Sequence, residues 1–292
     1  MTSRNPNKNR TINTQQEWAS RKWFDYLLSS QGTDDPTAYY GHNKNGSQVY
    51  RHALLSRLLA DVTCSEKVEI MIDIGCATGE LTDRIHRKLG ITMSLGLDFV
   101  EEAVRQASLQ FPEIAFCTAK LPELPVASRS VDLVVASEVI YYLTEDGKER
   151  MLDEIHRVLR PKGRLLFCSA LGDKYFSPQN AEMLITRKFV VEKRYQENLK
   201  LFNLLVYPLY VARRLRDYCE HGILPGTEIS RNKLKRNENL LEMGLSKVII
   251  LVGVLIGHPI ILSQTLPHFA DTISRFLFPI LSRSNIIIIA RK

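Results

Sequence analysis

A chain of 292 residues that is 45% hydrophobic and 24% charged is long enough for one large domain, or a domain with an insertion, and has the composition of a folded globular protein. Its five cysteines, Cys64, Cys76, Cys117, Cys168 and Cys219, never fall within ten residues of one another. That excludes a zinc-ligand spacing and points to buried or semi-buried thiols in a reducing, cytoplasmic compartment. The net charge of +7 sits on the flanks: residues 1–30 carry five Lys/Arg against two Asp/Glu, and residues 199–284 eleven against six.

Residues 1–14 are polar, with almost nothing to bury and no secretory pattern. A helix is expected over 15–30, rich in large side chains, then a polar loop containing Tyr39, Tyr40, Gly41 and His42. A second helix over 48–61 places Leu54, Leu55, Leu58 and Leu59 on one face. From there strands and helices alternate. VEIMIDIG is a strand, GELTDRIHRKLG a helix ending at Gly90, MSLGLD a strand and VEEAVRQASLQ a helix. IAFCTA and VDLVVAS are strands, residues 146–159 a helix stopping at Arg160-Pro161, and GRLLFCSA a fifth strand. A helix over 178–187, the strand FVVEKRYQ and the terminal strand SNIIIIARK complete the series. Such alternation means right-handed crossovers and a parallel sheet covered by helices on both faces, an α/β fold.

The strongest motif is IDIGCATGEL, residues 72–81. A strand runs into Asp73, a turn carries Gly75 and Gly79, and a helix follows. This is a nucleotide-type site at the carboxyl end of a first strand. Gly75 allows a sharp turn and close approach of a ligand. The helix offers free N–H groups to a carboxylate, and Asp73 accepts from an ammonium. The G-x-x-x-G spacing is neither the dinucleotide fingerprint nor a P-loop, which argues against hydride transfer and phosphate hydrolysis. Nineteen residues after Gly79, the second strand ends in Asp98, placed to bind both hydroxyls of a ribose.

IDIGCATGEL, LGLDFVEEAV, LPELPVASRSVDLVVASEVIYYL and LDEIHRVLRPKGRLLF together resemble the successive motifs of class I S-adenosylmethionine-dependent methyltransferases, over about half of the chain. The resemblance implies a Rossmann-like seven-stranded sheet with one antiparallel strand, IIIIA at 286–290. It implies S-adenosylmethionine as cofactor and no metal. Asp73, Gly75, Cys76 and Gly79 would hold the methionine part, Asp98 the ribose, and Phe99, Ala119 and Lys120 the adenine, with Ser137 also lining the site. Two departures stand out. The family often has an Asp where Lys120 stands, and lysine cannot accept from the adenine amino group. RPKG at 160–163 replaces the frequent P-G-G. ASEVIYYL resembles the motif after the fourth strand in small-molecule members, including the nodulation N-methyltransferases, which act on an amino sugar. By that resemblance Glu138 stands where the cofactor's methyl group points, as a general base, an orienting group or a helix cap, with Tyr141 and Tyr142 within reach. His42, on a lid segment, is a second candidate base, and Arg51 a candidate partner for the cofactor carboxylate.

The expected organisation is an N-terminal tail and lid over 1–45, the catalytic core over 46–198, a helical, apolar and basic insertion over 199–284, and the final core strand over 285–292. The insertion's longest uncharged apolar stretch, 248–262, contains His258 and Pro259 and is too short for a span of about 20 residues. It reads as a cap over an apolar acceptor pocket, as a peripheral membrane contact with Lys233, Lys235 and Arg236 near headgroups, or as ordinary domain packing. Nucleic acid is disfavoured, because no aromatic stacking platform is interleaved with the basic residues. The function expected is methyl transfer to an oxygen or nitrogen of a small or lipid-like acceptor. The alternative is a non-catalytic cofactor-binding module that docks on a membrane or partner enzyme.

Overall fold

A computed structural model describes residues 46–172, 175–199, 266–277 and 283–292. All of them belong to one compact unit, Gly46–Asn203 with Gln264–Lys292. The expected helix over 15–30, the loop with His42, Cys219, and the insertion from 200 to 265 with Lys233, Lys235 and Arg236 lie outside the described residues.

The chain enters this unit through helix α1, Gly46–Thr63, and then alternates: β1 Ile70–Ile74, α2 Glu80–Leu89, β2 Met93–Asp98, α3 Glu101–Gln110, β3 Ala115–Thr118 and β4 Val131–Ser137. A single 3-10 turn, Ile140–Tyr142, leads into α4 Glu145–Val158, β5 Leu159–Ala170, α5 Pro178–Thr186 and β6 Val190–Glu197. Helix α6, Leu266–Leu277, and strand β7, Asn285–Arg291, close the series. The seven strands form one sheet in the order β3-β2-β1-β4-β5-β7-β6. β7 runs antiparallel to both β5 and β6, while the other pairs are parallel. This is the α/β, Rossmann-like seven-stranded sheet that the motifs imply.

Alternation along each strand builds two cores, because successive side chains leave a strand on opposite faces. Ile72, Ile74, Val134, Ala136, Leu165, Phe167, Ile286 and Ile288 pack with Met151, Leu152 and Ile155 of α4 and Leu184 and Ile185 of α5. Met71, Leu133, Val135, Leu166, Ile287 and Ile289 pack with Leu54, Leu55, Leu58 and Leu59 of α1 and with Leu81 and Ile85 of α2. The run of four isoleucines in β7 is thus divided between both cores.

Three details depart from the expected boundaries. α1 starts at Gly46 rather than 48. β5 begins at Leu159, ahead of Arg160-Pro161, and not at Gly163: buried Leu159 pairs with Val131, and the next pair, Leu133 with Arg164, skips residues 160–163. Proline has no N–H for the ladder, so the chain bulges there, with Lys162 at φ +68°. Cys64 and Cys117 are exposed rather than buried, Cys64 just past α1 and Cys117 on edge strand β3.

The apolar stripe of α1 also carries Arg51, three residues before Leu54. Its Nε and Nη2 donate to Glu197 Oε2 at 3.1 and 2.9 Å, and its Nη2 and Nη1 to Asn285 Oδ1 and Gln48 Oε1 at 3.0 and 3.1 Å. Burial opposes the charge on Arg51, but the Glu197 and Glu138 carboxylates outweigh it. Burial in turn pushes Glu197 up, against the pull of Arg51 and the Ser284 hydroxyl. Helix α6 is tied down nearby: Asp271 accepts from Tyr50 at 2.7 Å, Tyr195 at 3.1 Å, Arg275 at 2.9 Å and the Asn198 amide. No helix among the described residues is long and apolar enough to cross a membrane.

Removing one partner of a buried ion pair strands the other charge. Arg51→Met should lower stability in urea unfolding by about 3–5 kcal/mol. Arg51→Met with Glu197→Leu should recover most of that loss, a coupling that the double-mutant cycle reads directly.

Candidate active site

The carboxyl ends of β1, β2 and β4 converge on the loop of residues 75–79. The loop is anchored by backbone: Gly75 N and Cys76 N both donate to Leu97 O, at 2.7 and 3.1 Å. Gly75 has φ +76°, and a Cβ there would stand 2.7 Å from Val139 Cγ2, so a side chain at 75 is excluded by conformation and by space. The same contact brings the loop against the residue that follows Glu138. Gly79, at φ +87°, opens α2 with its flank against Phe116 and Phe111.

Two acids flank this loop. Asp73 is buried at the end of β1, with Thr82 Oγ1 donating to its Oδ2 at 2.6 Å. Burial pushes it up to about 7 despite that bond, and the charge of Asp98 adds to the rise. Asp98 ends β2 and accepts from Ala77 N at 2.9 Å and Val100 N at 3.0 Å, so one carboxylate ties down both the glycine loop and the start of α3. Burial raises Asp98 as well, against those backbone donors. Neither acid has an ion-pair partner among the described residues. Phe99 follows on the surface, 38% exposed. Ala119 is buried beside Asp98, its N–H donating to Asp98 O at 2.8 Å, and Lys120 is exposed next to it. Cys76 is buried in the loop, and burial pushes its thiol well up, which makes it inert as a nucleophile.

The other end of the site is built on Glu138, immediately after β4. Its φ is +58°, a left-handed conformation that persists in a non-glycine residue only where the surroundings hold it. They do: Asn285 Nδ2 donates to Oε1 at 2.6 Å, Tyr141 Oη to Oε2 at 3.2 Å, and Cys168 Sγ approaches Oε1 at 3.7 Å. Tyr141 stacks with Tyr142 and Tyr175, at ring-centroid distances of 4.5 and 4.9 Å, and the latter two are largely exposed. Ser137, the last residue of β4, is half-buried beside Cys168.

The geometry therefore brings Asp73, Gly75, Cys76, Gly79, Asp98, Phe99, Ala119 and Lys120 to the β1–β2–β3 side, and Ser137 and Glu138 to the adjacent β4 end. Arg51 does not serve as expected: all three of its guanidinium nitrogens are committed to Gln48, Glu197 and Asn285. Asn285, Cys168 and Tyr175 escaped the sequence reading. Asn285 lies 147 residues from Glu138 in the chain, and only the polar residue opening an otherwise apolar strand hinted at it.

Residues 71–163 match the model of a family described as "Methyltransferase domain". Among curated proteins, the malonyl-[acyl-carrier protein] O-methyltransferase of Hahella chejuensis is 31% identical over 113 residues, 38% of this chain and 40% of that one. The "Probable S-adenosylmethionine-dependent methyltransferase" of Mycobacterium tuberculosis is 32% identical over 128 residues, 44% of each chain. Over residues 71–163 the chain is therefore similar to a methyltransferase domain. The match spans about two fifths of the length of these curated relatives. The [4+2]-cyclase SpnF, at 18% identity and a TM-score of 0.54 over 84% of this chain and 82% of its own, shares the fold.

S-adenosylmethionine is the cofactor of the domain, and the residues present fit it. The Asp73 carboxylate, raised by burial and without an ion-pair partner among the described residues, gains from a ligand ammonium. Asp98 keeps lone pairs for a diol beyond its backbone donors Ala77, Val100 and Phe99. Val139 leaves no room for a Cβ at Gly75, so the loop presents bare backbone there.

Because Asp73 titrates at about 7 without a cationic partner, an ammonium ligand should displace its proton. S-adenosylmethionine affinity should rise between pH 6 and pH 8, and calorimetry in two buffers of different ionisation enthalpy should show a proton released at pH 6.5. Asp98→Ala should weaken binding by at least about 1.5–3 kcal/mol, the worth of one hydrogen bond to a charged group, since the loop loses its tie through Ala77 as well. Unchanged affinity in a folded variant would exclude the ribose assignment.

Proposed function

We propose that this chain is a methyltransferase of EC class 2.1.1 that moves a methyl group to an oxygen or nitrogen of a small or lipid-like acceptor, with Glu138 as the group that receives or orients the acceptor's proton. The observation that carries this reading is the placement of Glu138. It directly follows the strand next to the cofactor loop, is turned by a positive φ, and among the described residues its carboxylate is met by donors.

When bound, S-adenosylmethionine supplies an electrophilic methyl group on a sulfonium. The chain's part is to position the acceptor and to exclude water, which is most of what transfer to a good nucleophile requires. A hydroxyl or protonated amine must also lose a proton, and Glu138 stands ready as an anionic acceptor. Tyr142 and Tyr175, exposed beside it, offer a wall for the acceptor's apolar or planar part. The malonyl-[acyl-carrier protein] O-methyltransferases among the relatives support an oxygen acceptor and an acyl chain. A carboxylate acceptor of that kind would need no base, and Glu138 would then orient it.

Transfer of a labelled methyl group from S-adenosylmethionine to extract components, with products identified by mass, tests the class. Glu138→Gln should lower kcat by about 10²-fold or more, the usual range for a general base, and leave the cofactor Kd within about threefold. Wild-type turnover by the variant would remove Glu138 from the chemistry, while binding without turnover on any acceptor would overturn the enzymatic reading.

A further inference from the structure

A polar chain runs beneath the acceptor end of the site, buried at Arg51, Glu197 and Asn285 and half-buried at Ser284 and Glu138. Glu197 Oε2 accepts from Arg51 and from Ser284 Oγ, Arg51 Nη2 donates to Asn285 Oδ1, and Asn285 Nδ2 donates to Glu138 Oε1. Four elements contribute: β6, α1, β7 and the end of β4. The contacts join residues 146, 234 and 147 positions apart. Among the described residues Glu197 Oε1 has no hydrogen-bond partner, a cost that an apolar substitute would not carry.

The order of donors and acceptors fixes the sense of the chain. Arginine has no acceptor and an ionised carboxylate has no donor. The Asn285 amide can satisfy both neighbours in one orientation only, oxygen toward Arg51 and nitrogen toward Glu138. Were Arg51 absent, the amide could turn over and present its oxygen to Glu138. The titratable groups facing Glu138 agree with that sense. Tyr141 and Cys168 are both pushed up by burial and so stay protonated donors, and Tyr142 is likewise raised. Arg51 stands behind Asn285, and Glu197 behind Arg51.

We infer that Asn285 is a positioning residue for methyl transfer: clamped by Arg51, its amide holds the Glu138 carboxylate turned toward the acceptor. The inference rests on the reading of Glu138 given above, and it adds that the last strand of the chain supplies the donor that holds that group, a contact that a titration of Glu138 reads. Asn285→Asp is the informative substitution. It keeps the size and the acceptor for Arg51, so the buried guanidinium stays paired, but it replaces the donor facing Glu138 by a second carboxylate.

The measurement is a carbon-13 titration of the full-length, cofactor-free protein labelled with [5-13C]glutamate. The Glu138 signal is the one absent from Glu138→Gln. In Asn285→Asp its midpoint should move up by one pH unit or more, and in Asn285→Ala upward by less. Arg51→Met should move it in the same direction. Should Asn285→Asp fail to fold, Asn285→Ala reads the same quantity without adding a charge. A midpoint unchanged in a folded Asn285 variant overturns the inference and leaves Asn285 as packing alone. The titration needs neither acceptor nor turnover. It can therefore fail while Glu138→Gln still abolishes activity, or succeed on a protein that transfers no methyl group, so the two readings are separable.

Discussion

The antiparallel insertion of β7 between β5 and β6 is the constraint on which the rest depends. Parallel strands with helical crossovers all end on one side, and their loops there make the site. A strand running the other way delivers its first residue, not its last, to that side. Asn285 pairs in register with Ala170 on β5 and with Glu197 on β6, the final residues of those strands. The strand that completes the sheet thus also plants an amide at the carboxyl edge, beside Glu138 from β4 and within reach of Arg51 from α1. Four isoleucines follow it and bury on both faces, which fixes the register: a slip of one residue would exchange the faces of every side chain in the strand.

The two ends of the site were legible to different degrees. The cofactor end is local: Asp73, Gly75, Gly79 and Asp98 fall within 26 consecutive residues, and their spacing relative to two strands states their job. A glycine at φ +76° and a buried acid at a strand end leave marks in sequence because few other residues do either. Even there, structure added a role that spacing does not show, the bond from Ala77 N that makes Asp98 part of the loop's own support. The acceptor end is non-local. Glu138 was visible as a polar residue after an apolar strand, but Asn285, Arg51 and Glu197 were not visible as its supports. Their contacts join distant positions, and an arginine on a leucine-rich helix face resembles any surface arginine until its partner is known. The 3-10 turn that carries Tyr141 went unread for a related reason: three residues make no period.

Burying Arg51 and Glu197 together is a poor way to gain stability, since two well-packed apolar side chains of similar volume would often do as well or better. The unpartnered oxygen of Glu197 deepens that deficit. Such a pair makes sense where its direction matters rather than its strength, because a cation in a fixed place orients an amide that nothing apolar could orient. The strained backbone of Glu138 points the same way, being tolerated where three donors converge on its side chain.

The reach of the family match bears on this division. It covers residues 71–163, which hold the cofactor loop, Asp98 and Glu138. Arg51, Glu197 and Asn285 all lie outside it, as does Tyr175. The groups that hold Glu138 through Asn285 are thus contributed by the segments on either side of the match. A [4+2]-cyclase shares the fold, so the fold by itself does not decide the chemistry. In this chain the supports of Glu138 meet where α1, β6 and β7 reach the end of β4.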